Sequence, residues 1–439
     1  MTPPARIDAA IELLAAIETS PQPADAVANN FFRLRRYIGA GDRRAVSETA
    51  WDALRASRRI EWWLRRGGAT PTPRLRLAAS LLLRIPGAPP AARPDDLARA
   101  FSGGRFAPEP LDGDEYPVLA HLAGHTREHP AMPDPVRLEL PDWIAPRLAA
   151  RFGAALEAEA TALLAPAPLD LRVNLLKTTR EAAQAALAAE GIAAEPTKFS
   201  PWGLRVEGRR NVTAGAAFRD GLIEIQDEGS QLVALLADAR PGQAVVDFCA
   251  GAGGKTLALA MTMGKRGRIV ACDVHAARLE GAIRRLRRAG VHNVEPHLLA
   301  AGDKWRKRHA GGFDRVLVDA PCTGTGTWRR NPDARRRLAE ADLIALVAKQ
   351  ASILDQAAPL VRRGGRLIYA TCSLLAEENE AQLSAFLQRH ADFALLPLAR
   401  AWPGPASEAV AALLAEPTLA LTPARHGTDG FFAAVLARR

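Results

Sequence analysis

Two cysteines, fifty residues apart, each follow a β-rich run and stand at the start of a loop. Cys322 lies in VDAPCTGTG and Cys372 in IYATCS. A glycine-rich turn, DFCAGAGGKT at 247–256, precedes both and is typical of a site for a nucleotide-like cofactor. A thiolate beside such a site suits one reaction well, addition to C6 of a pyrimidine so that C5 can attack an activated methyl group. The sequence therefore predicts a cytosine-C5 methyltransferase.

This reaction needs a nucleophile and a base, and the sequence offers candidates for both. Cytosine C5 is a poor nucleophile until a thiolate adds at C6, and a free cysteine, with a pKa of about 8.5, must be deprotonated by its surroundings. After the transfer, a base must remove the C5 proton so that the thiolate can leave. The predicted catalytic residues are Cys322, Cys372 and Asp319. Cys249 and Cys272, in or at the end of apolar runs, are interpreted as small core residues.

The glycine-rich turn is expected to join a strand to a helix. Gly251, Gly253 and Gly254 allow the backbone to turn tightly and to approach a ligand, and a helix N-terminus favours an anionic oxygen. The turn is not a Walker loop, because Cys249 stands where the first glycine of that motif is required. A bound nucleoside is the expected ligand.

Three aspartates follow at the ends of successive predicted strands. Asp273 comes nineteen residues after Gly254, where an acid can bind ribose hydroxyls. Asp303 and Asp319 are expected to end the next two strands. A single aspartate at such a position is usually a helix N-cap, whereas three in succession favour a nucleoside site.

The elements that must position these residues fall into three predicted segments. Residues 1–130 show helical spacing of apolar residues throughout, which predicts an all-α domain. The proline-rich stretch 129–143 suits a linker, and 141–236 mixes a helix with strand-like runs, as in a small α+β module. Residues 237–439 alternate strands and helices, which predicts a Rossmann-like α/β domain of the class I methyltransferase type with ligands at the carboxyl ends of its strands.

Composition narrows the possible classes of protein. The chain has 439 residues and only 4 cysteines, none in a CxxC pair, so neither a disulfide framework nor a metal site is predicted. Reduced thiols point to the cytoplasm. No run of about 18 apolar residues occurs, and Asp8 and Glu12 stand where a signal peptide would be apolar, so no membrane partner is expected. A monomer is expected.

The net charge of +10 is concentrated in the second half of the chain. Residues 1–236 hold 29 Lys and Arg against 29 Asp and Glu, whereas residues 237–439 hold 29 against 19. A basic catalytic half favours a polyanionic substrate such as RNA, although such residues also simply solvate helix faces. The basic clusters are Arg284, Arg285, Arg287 and Arg288; Lys304, Arg306, Lys307 and Arg308; and Arg329, Arg330, Arg335, Arg336 and Arg337.

The motifs together resemble the RsmB/Sun family of RNA cytosine-C5 methyltransferases over essentially the whole chain. DFCAGAGGKT resembles the family's methionine-adenosyl loop, DAPCTGTG its first cysteine motif and ATCSLLAEENE its second, while LRVNLLK, GLIEIQDEGSQL and HGTDGFF resemble further family blocks. The resemblance implies that Cys372 is the nucleophile and that Cys322 assists release. It also implies an S-adenosyl-L-methionine site formed by Cys249, Ala250, Gly251, Ala252, Gly253, Gly254, Lys255, Asp273, Asp303 and Asp319.

Two details qualify this resemblance. DNA cytosine methyltransferases use the Pro-Cys thiol as nucleophile and lack a Thr-Cys-Ser strand end, which this chain has at 371–373. The cofactor loop reads CAGAGGKT where the family commonly has CAAPGGKT. Losing the proline loosens the turn, whereas Gly251 permits the same path, so cofactor binding is expected.

The N-terminal helices, above all GDRRAVSETAWDALRASRRIEWWL, resemble the NusB-like RNA-binding domain of bacterial rRNA methyltransferases. That resemblance implies 16S ribosomal RNA as the substrate. Trp51, Trp62 and Trp63 could stack on bases, but tryptophans at helical spacing usually belong to a core. Two alternatives stay open: a tRNA cytosine-C5 methyltransferase, and a non-catalytic RNA-binding factor of ribosome assembly that keeps the fold.

Overall fold

Contacts divide the chain into two units. The computed structural model describes residues 1–85, 87, 91–208, 210–300 and 302–439. The helical unit consists of Met1–Ala165 with Trp328–Leu338, and the sheet unit of Pro166–Thr327 with Ala339–Arg439.

Helices and strands are numbered in chain order. The helices are α1 Pro3–Thr19, α2 Ala24–Leu34, α3 Ala40–Arg55, α4 Ser57–Arg66, α5 Pro73–Leu82, α6 Pro94–Ala100, α7 Glu115–Leu122, α8 Asp134–Arg137, α9 Ala145–Phe152, α10 Leu156–Leu164, α11 Arg180–Ala189, α12 Ala216–Arg219, α13 Glu228–Leu236, α14 Gly254–Thr262, α15 Ala276–Ala289, α16 Trp305–Arg308, α17 Ala334–Arg337, α18 Glu340–Ala357, α19 Glu380–Arg389, α20 Leu398–Ala401, α21 Glu408–Leu414 and α22 Pro423–His426. The strands are β1 Leu169–Val173, β2 Ala194–Pro196, β3 Gly203–Val206, β4 Ile223–Ile225, β5 Ala244–Asp247, β6 Arg268–Asp273, β7 Val294–Leu298, β8 Phe313–Asp319, β9 Val361–Thr371, β10 Phe393–Leu395, β11 Leu419–Leu421 and β12 Phe431–Arg438.

The helical unit confirms the predicted all-α N-terminal fold. Helix α1 begins at a proline, and the Thr2 hydroxyl accepts the amide hydrogen of Ala5, which caps the helix. Apolar residues at helical spacing bury one face of each long helix. Trp63 is fully enclosed with Ile60, so it belongs to the core and does not offer a face for base stacking. In the proline-rich stretch expected to be a linker, α8 forms a helical turn.

The segment Trp328–Leu338 corrects one prediction about RNA binding. Arg335 is buried and donates to the backbone oxygen of Glu139, while Arg336 pairs with Glu61 at 2.6 Å. Arg337 pairs with Asp333. The expectation that this cluster lines a path for RNA is therefore wrong for Arg335, because a buried guanidinium cannot meet phosphates. Arg336 and Arg337 are each paired with a carboxylate of the same unit, Glu61 and Asp333.

Residues 169–225 of the sheet unit form a small antiparallel sheet, which confirms the predicted α+β module. The strand order is β2-β3-β1-β4. Alternate residues of β1 and β3 point to one apolar cluster, and α11 and α12 contribute Leu187 and Ala217 to that cluster.

A large mixed sheet forms the rest of the sheet unit and confirms the predicted Rossmann-like domain. Its order is β10-β12-β9-β8-β5-β6-β7, with β11 paired to β12. The five strands from β9 to β7 are parallel, whereas β12 runs antiparallel between β9 and β10. The sequence pattern predicted the parallel strands but not β10, β11 or β12.

Four parallel strands end next to predicted site residues. Strand β5 ends at Asp247, β6 at Asp273, β8 at Asp319 and β9 at Thr371, directly before Cys372. Since these strands are parallel neighbours, their carboxyl ends share one edge of the sheet. Asp303 departs from the prediction, because β7 ends at Leu298 and Asp303 follows it by five residues.

Candidate active site

The two predicted catalytic thiols lie together. Cys322 follows β8, and Cys372 follows the neighbouring parallel strand β9. Their Sγ atoms are 3.5 Å apart, within hydrogen-bonding range for sulfur, and both residues are half-buried. The parallel pairing of β8 with β9 explains why residues so distant in sequence meet at one edge of the sheet.

The electrostatic environment distinguishes the two thiols. The pKa of Cys322 is well above the usual value for a thiol, first because of its hydrogen bond with Cys372 and then because of burial. A raised pKa favours the protonated form of Cys322. The interaction with Cys372 also contributes to a raised pKa of Lys255, so the Lys255 ammonium interacts electrostatically with the Cys372 side chain.

Lys255, which is buried, forms an ion pair with the half-buried Asp319 at the same edge. Its Nζ donates to Oδ2 of Asp319 at 2.7 Å. Burial alone would lower the pKa of Lys255, but the charge and the hydrogen bond of Asp319 outweigh burial and raise it. Lys255 therefore stays charged, and its ammonium lies 5.4 Å from the centre of the Phe431 ring.

Glu378 fastens the two cysteine loops to each other. Its Oε1 accepts the Thr323 amide hydrogen at 2.8 Å and a hydrogen from Gln350 at 2.9 Å, and its Oε2 accepts the Thr323 hydroxyl at 2.5 Å. The Tyr369 hydroxyl donates to the backbone oxygen of Glu378 at 2.5 Å. Glu378 is fully buried. It lies in ATCSLLAEENE, but nothing in the sequence marked this carboxylate as the acceptor for the Pro-Cys loop.

A close approach of two glycines adds a second fastening. The Gly326 amide donates to the backbone oxygen of Cys372 at 2.9 Å, and the Gly326 oxygen accepts the amide of Gly430 at 2.9 Å. A Cβ on Gly326 would lie 2.4 Å from the Gly430 oxygen, and a Cβ on Gly430 would lie 2.7 Å from the Gly326 Cα. Only glycine fits at both positions, which explains why HGTDGFF belongs to the site.

The glycine-rich turn leaves β5 and enters α14. Its amides are bound within the domain: Ala250 donates to the backbone oxygen of Cys272 at 2.8 Å and Gly251 to Oδ2 of Asp273 at 2.9 Å. Gly251 has φ of +54°, and a Cβ there would meet nothing within 4 Å. The positive φ suits the glycine that this chain has in its CAGAGGKT loop, and the open space beside it is compatible with a ligand.

Two buried carboxyls lie beneath this turn. Asp273 accepts the amides of Gly251 and His275, so it fixes the loops after both β5 and β6. Asp247 accepts the Thr256 hydroxyl at 2.7 Å through Oδ2, while its buried Oδ1 has no hydrogen-bond partner. Burial raises the pKa of Asp247 to about 7. The adenosine and methionine portions of S-adenosyl-L-methionine carry hydroxyl and amino donors, and these suit an edge so rich in carboxylates.

The remaining predicted site residues have local roles. Asp303 accepts the amide of Trp305, the first residue of α16, at 2.7 Å and contacts Nε2 of His297 at 2.6 Å. The pKa of Asp303 is lowered, chiefly by the Trp305 amide. Cys272 is fully buried in the apolar core, as predicted. Cys249 is half-buried against the same core, and burial raises the pKa of its thiol.

Two kinds of feature are absent from the described ranges. No cluster of three or more His, Cys, Asp or Glu residues among residues 1–85, 87, 91–208, 210–300 and 302–439 could hold a metal ion. Among those same residues, no helix has both the length and the apolar character needed to cross a membrane.

The sequence matches known families in two regions. Residues 234–437 match the family described as 16S rRNA methyltransferase RsmB/F. Residues 140–213 match the ferredoxin-like domain of RsmF/B-like methyltransferases.

Individual relatives extend the match to most of the chain. The ribosomal RNA small subunit methyltransferase B of Sodalis glossinidius is 31% identical over 91% of this chain and 90% of that protein. A probable ribosomal RNA small subunit methyltransferase B of Synechocystis sp. is 35% identical over 67% of this chain and 66% of that protein. Among solved structures, a methyltransferase homolog protein from Pyrococcus horikoshii is 30% identical, with a TM-score of 0.60 over 71% of this chain and all of that chain.

Proposed function

This chain belongs to the RsmB/F family of methyltransferases, and from that premise we propose that it methylates C5 of a cytosine in 16S ribosomal RNA. The cofactor is S-adenosyl-L-methionine, which supplies an electrophilic methyl group when bound. The observation that carries the proposal is the contact between Cys322 and Cys372, 3.5 Å apart beside the Lys255–Asp319 ion pair.

Cys372 is the proposed nucleophile. The raised pKa of Cys322 favours its protonated form, and the Lys255 ammonium interacts electrostatically with the Cys372 side chain. The Cys372 thiolate adds to C6 of cytosine with its electron pair, and the C5=C6 bond electrons form the new bond from C5 to the methyl carbon. The bond between that carbon and the cofactor sulfur would break with its electrons left on sulfur, so that S-adenosylhomocysteine is the leaving group. The product of this step is a cytosine that carries both the methyl group and a hydrogen at C5 and is bonded to the enzyme through sulfur.

Cys322 is the proposed base for release. Once Cys372 is bonded to carbon, its sulfur no longer carries the negative charge that contributed to the raised pKa of Cys322. Cys322 can then release its proton to water and, as a thiolate, accept the C5 proton. The C5–H electrons restore the C5=C6 bond, the S–C6 bond breaks, and Cys372 leaves as a thiolate. Bond formation at Cys372 thus prepares Cys322 to act as the base.

The cofactor is proposed to bind at the turn after β5. Gly251 opens space beside the loop, and Asp273, at the end of β6, is the candidate for the ribose hydroxyls. Asp319 ends β8, the strand next to β5, and pairs with Lys255 of the loop. The full proposed set is Cys249, Ala250, Gly251, Ala252, Gly253, Gly254, Lys255, Asp273, Asp303 and Asp319.

The RNA assignment rests on the names of the relatives and on the helical unit. The protein is proposed to act in the cytoplasm as a monomer that presents an unstacked cytosine to the thiols, because a base inside a helix cannot expose C6 to a nucleophile. The helical unit is the proposed NusB-like RNA-binding region.

Methyl transfer from labelled cofactor to RNA transcripts tests the proposal. We expect label in 16S rRNA, loss of that label when the mapped cytosine is changed to uracil, and a covalent complex with RNA that carries 5-fluorocytosine, whose C5 fluorine cannot be removed as a proton. Label in tRNA and not in rRNA would favour the tRNA enzyme. Binding of RNA without transfer to either substrate would favour a non-catalytic assembly factor.

A further inference from the structure

Two guanidinium groups bind the backbone carbonyls of the cofactor loop. Arg285, on α15, donates from Nη1 to the oxygen of Ala252 at 2.7 Å. Arg172, on β1 of the α+β module, donates from Nη1 to the oxygen of Gly254 at 2.7 Å. Residues Cys272 and Asp273 of β6 accept the amides of Ala250 and Gly251, whereas the two arginines bind carbonyl oxygens of the same loop.

The α+β module holds both arginines. Arg172 stands opposite Glu224 in the pairing of β1 with β4, and its Nη1 also donates to Gln226. Glu224 accepts from Arg285 at 3.4 Å and from Arg288 at 2.5 Å. Arg172 is buried, and burial lowers its pKa to about 10, with Glu224 partly offsetting that effect. Arg172 remains charged at neutral pH.

The sequence of the loop makes such restraint useful. Gly251 and Ala252 stand where the family that the loop resembles commonly has Ala-Pro. A glycine and an alanine allow more backbone conformations than alanine and proline, so an unrestrained loop loses more entropy when it takes the binding conformation. Ala252, which replaces the proline, is the residue whose carbonyl Arg285 binds.

We propose that Arg172 and Arg285 are positioning residues for the cofactor, and that the α+β module thereby completes the S-adenosylmethionine site. The guanidinium groups fix the Ala252 and Gly254 carbonyls and so replace the stiffness that a proline would give the loop. This inference rests on the proposed placement of the cofactor at the turn after β5.

Calorimetry with S-adenosylhomocysteine as the probe tests the inference on the full chain. Arg285→Ala should weaken binding by about tenfold, on the scale of one hydrogen bond to a charged group. Arg288→Ala is the matched control, because Arg288 binds the same Glu224 oxygen but does not contact the loop. Arg172→Lys should also weaken binding, since an ammonium cannot reach Gln226 and the Gly254 oxygen in the same geometry.

A restoring substitution and an apo measurement sharpen the test. Adding Ala252→Pro to Arg285→Ala should recover most of the lost affinity, and hydrogen exchange at the amides of Gly251 and Gly253 should be faster in Arg285→Ala without ligand. If Arg285→Ala binds the probe as tightly as Arg288→Ala does, and exchange is unchanged, the positioning role is overturned. That conclusion stands even if Arg172→Lys fails to fold. Absence of binding by the wild type would instead overturn the proposed function.

Discussion

The thiol loops and the cofactor loop leave the same edge of one sheet, yet side chains of opposite charge hold them in place. In the thiol loops, the buried carboxylate of Glu378 accepts the amide and the hydroxyl of Thr323. In the cofactor loop, Arg285 and Arg172 donate to the backbone carbonyls of Ala252 and Gly254. The loop that presents donors is thus held by a carboxylate, and the loop that presents carbonyl acceptors is held by guanidinium groups.

The two fastenings also come from different parts of the chain. Glu378 and Arg285 belong to the α/β domain that carries the thiols, whereas Arg172 belongs to the α+β module and Glu224 of that module pairs with Arg285. Damage to one fastening should therefore impair the chemical step, and damage to the other should impair cofactor affinity. The following predictions test that separation.

The largest expected effect separates the two thiols. Cys372→Ala should abolish methylation and give no covalent RNA adduct, because without addition at C6 the C5 atom is not nucleophilic enough. Cys322→Ala should add and transfer one methyl group and then stall as a protein–RNA species that survives a denaturing gel. An adduct with Cys372→Ala and none with Cys322→Ala would mean that the Pro-Cys thiol is the nucleophile.

Removing the Glu378 carboxylate, which binds Thr323 of the Cys322 loop, should have the next largest effect. Glu378→Ala leaves the Thr323 amide buried and unpaired and lets the Cys322 loop move, so turnover should fall by roughly a hundredfold, the cost of a displacement of about 1 Å at a reacting group. Stalled adduct should accumulate on denaturing gels while cofactor affinity is kept. Glu378→Gln keeps an acceptor for the amide and should recover part of the rate. Equal rates for the two variants would argue against a positioning role.

Loss of the β6 carboxylate should affect the cofactor alone. Asp273→Ala should weaken S-adenosylmethionine binding by about 2 kcal/mol, the scale of a charge-assisted hydrogen bond. It also frees the amides of Gly251 and His275, which the carboxylate accepts in the wild type. Calorimetry should show the loss without accumulation of RNA adduct. Unchanged affinity would remove Asp273 from the site.

Stability should depend on pH because of Asp247, the buried carboxyl under the cofactor loop. The pKa of Asp247 is about 7 in the folded protein, above its ordinary value, so the folded state holds this proton when the unfolded state has lost it. Its contribution to stability is present at low pH and is lost as pH rises to about 7. Denaturant unfolding should show the wild type losing stability relative to Asp247→Asn between about pH 4 and pH 7. Parallel curves for the two proteins would contradict this.

The smallest expected effect concerns the basic surface. Arg284 and Arg287 are exposed on α15, whereas Arg335 is buried and Arg336 is paired with Glu61. Arg284→Ala with Arg287→Ala should weaken RNA binding and reduce the salt slope by about 1 for each phosphate that is no longer bound. Arg336→Ala should leave that slope unchanged. If Arg336→Ala reduced the salt slope and the Arg284 and Arg287 substitutions did not, the arginines at 329–337 would be the RNA-binding surface instead.

Much of the site could be predicted from sequence because its residues sit in local patterns. Strand-like runs followed by a glycine turn, a Pro-Cys or a Thr-Cys-Ser identified the parallel strands and their carboxyl ends, and parallel pairing alone brings Cys322 and Cys372 to one edge. The burial of Cys272 followed from its place within an apolar run. Short-range pattern and strand parallelism were sufficient there.

Only the tertiary structure decides the contacts between residues that are far apart in sequence. Which guanidiniums are free for RNA could not be predicted from charge clusters, because burial and a distant carboxylate such as Glu61 or Glu224 determine it. The antiparallel strand β12 brings Gly430 against Gly326, and no local signal encodes that approach. The contacts of Glu378 with Thr323, and of Arg172 and Arg285 with the loop carbonyls, are also decided by the tertiary structure. Each depends on which side chain the fold places beside a polar group of a loop.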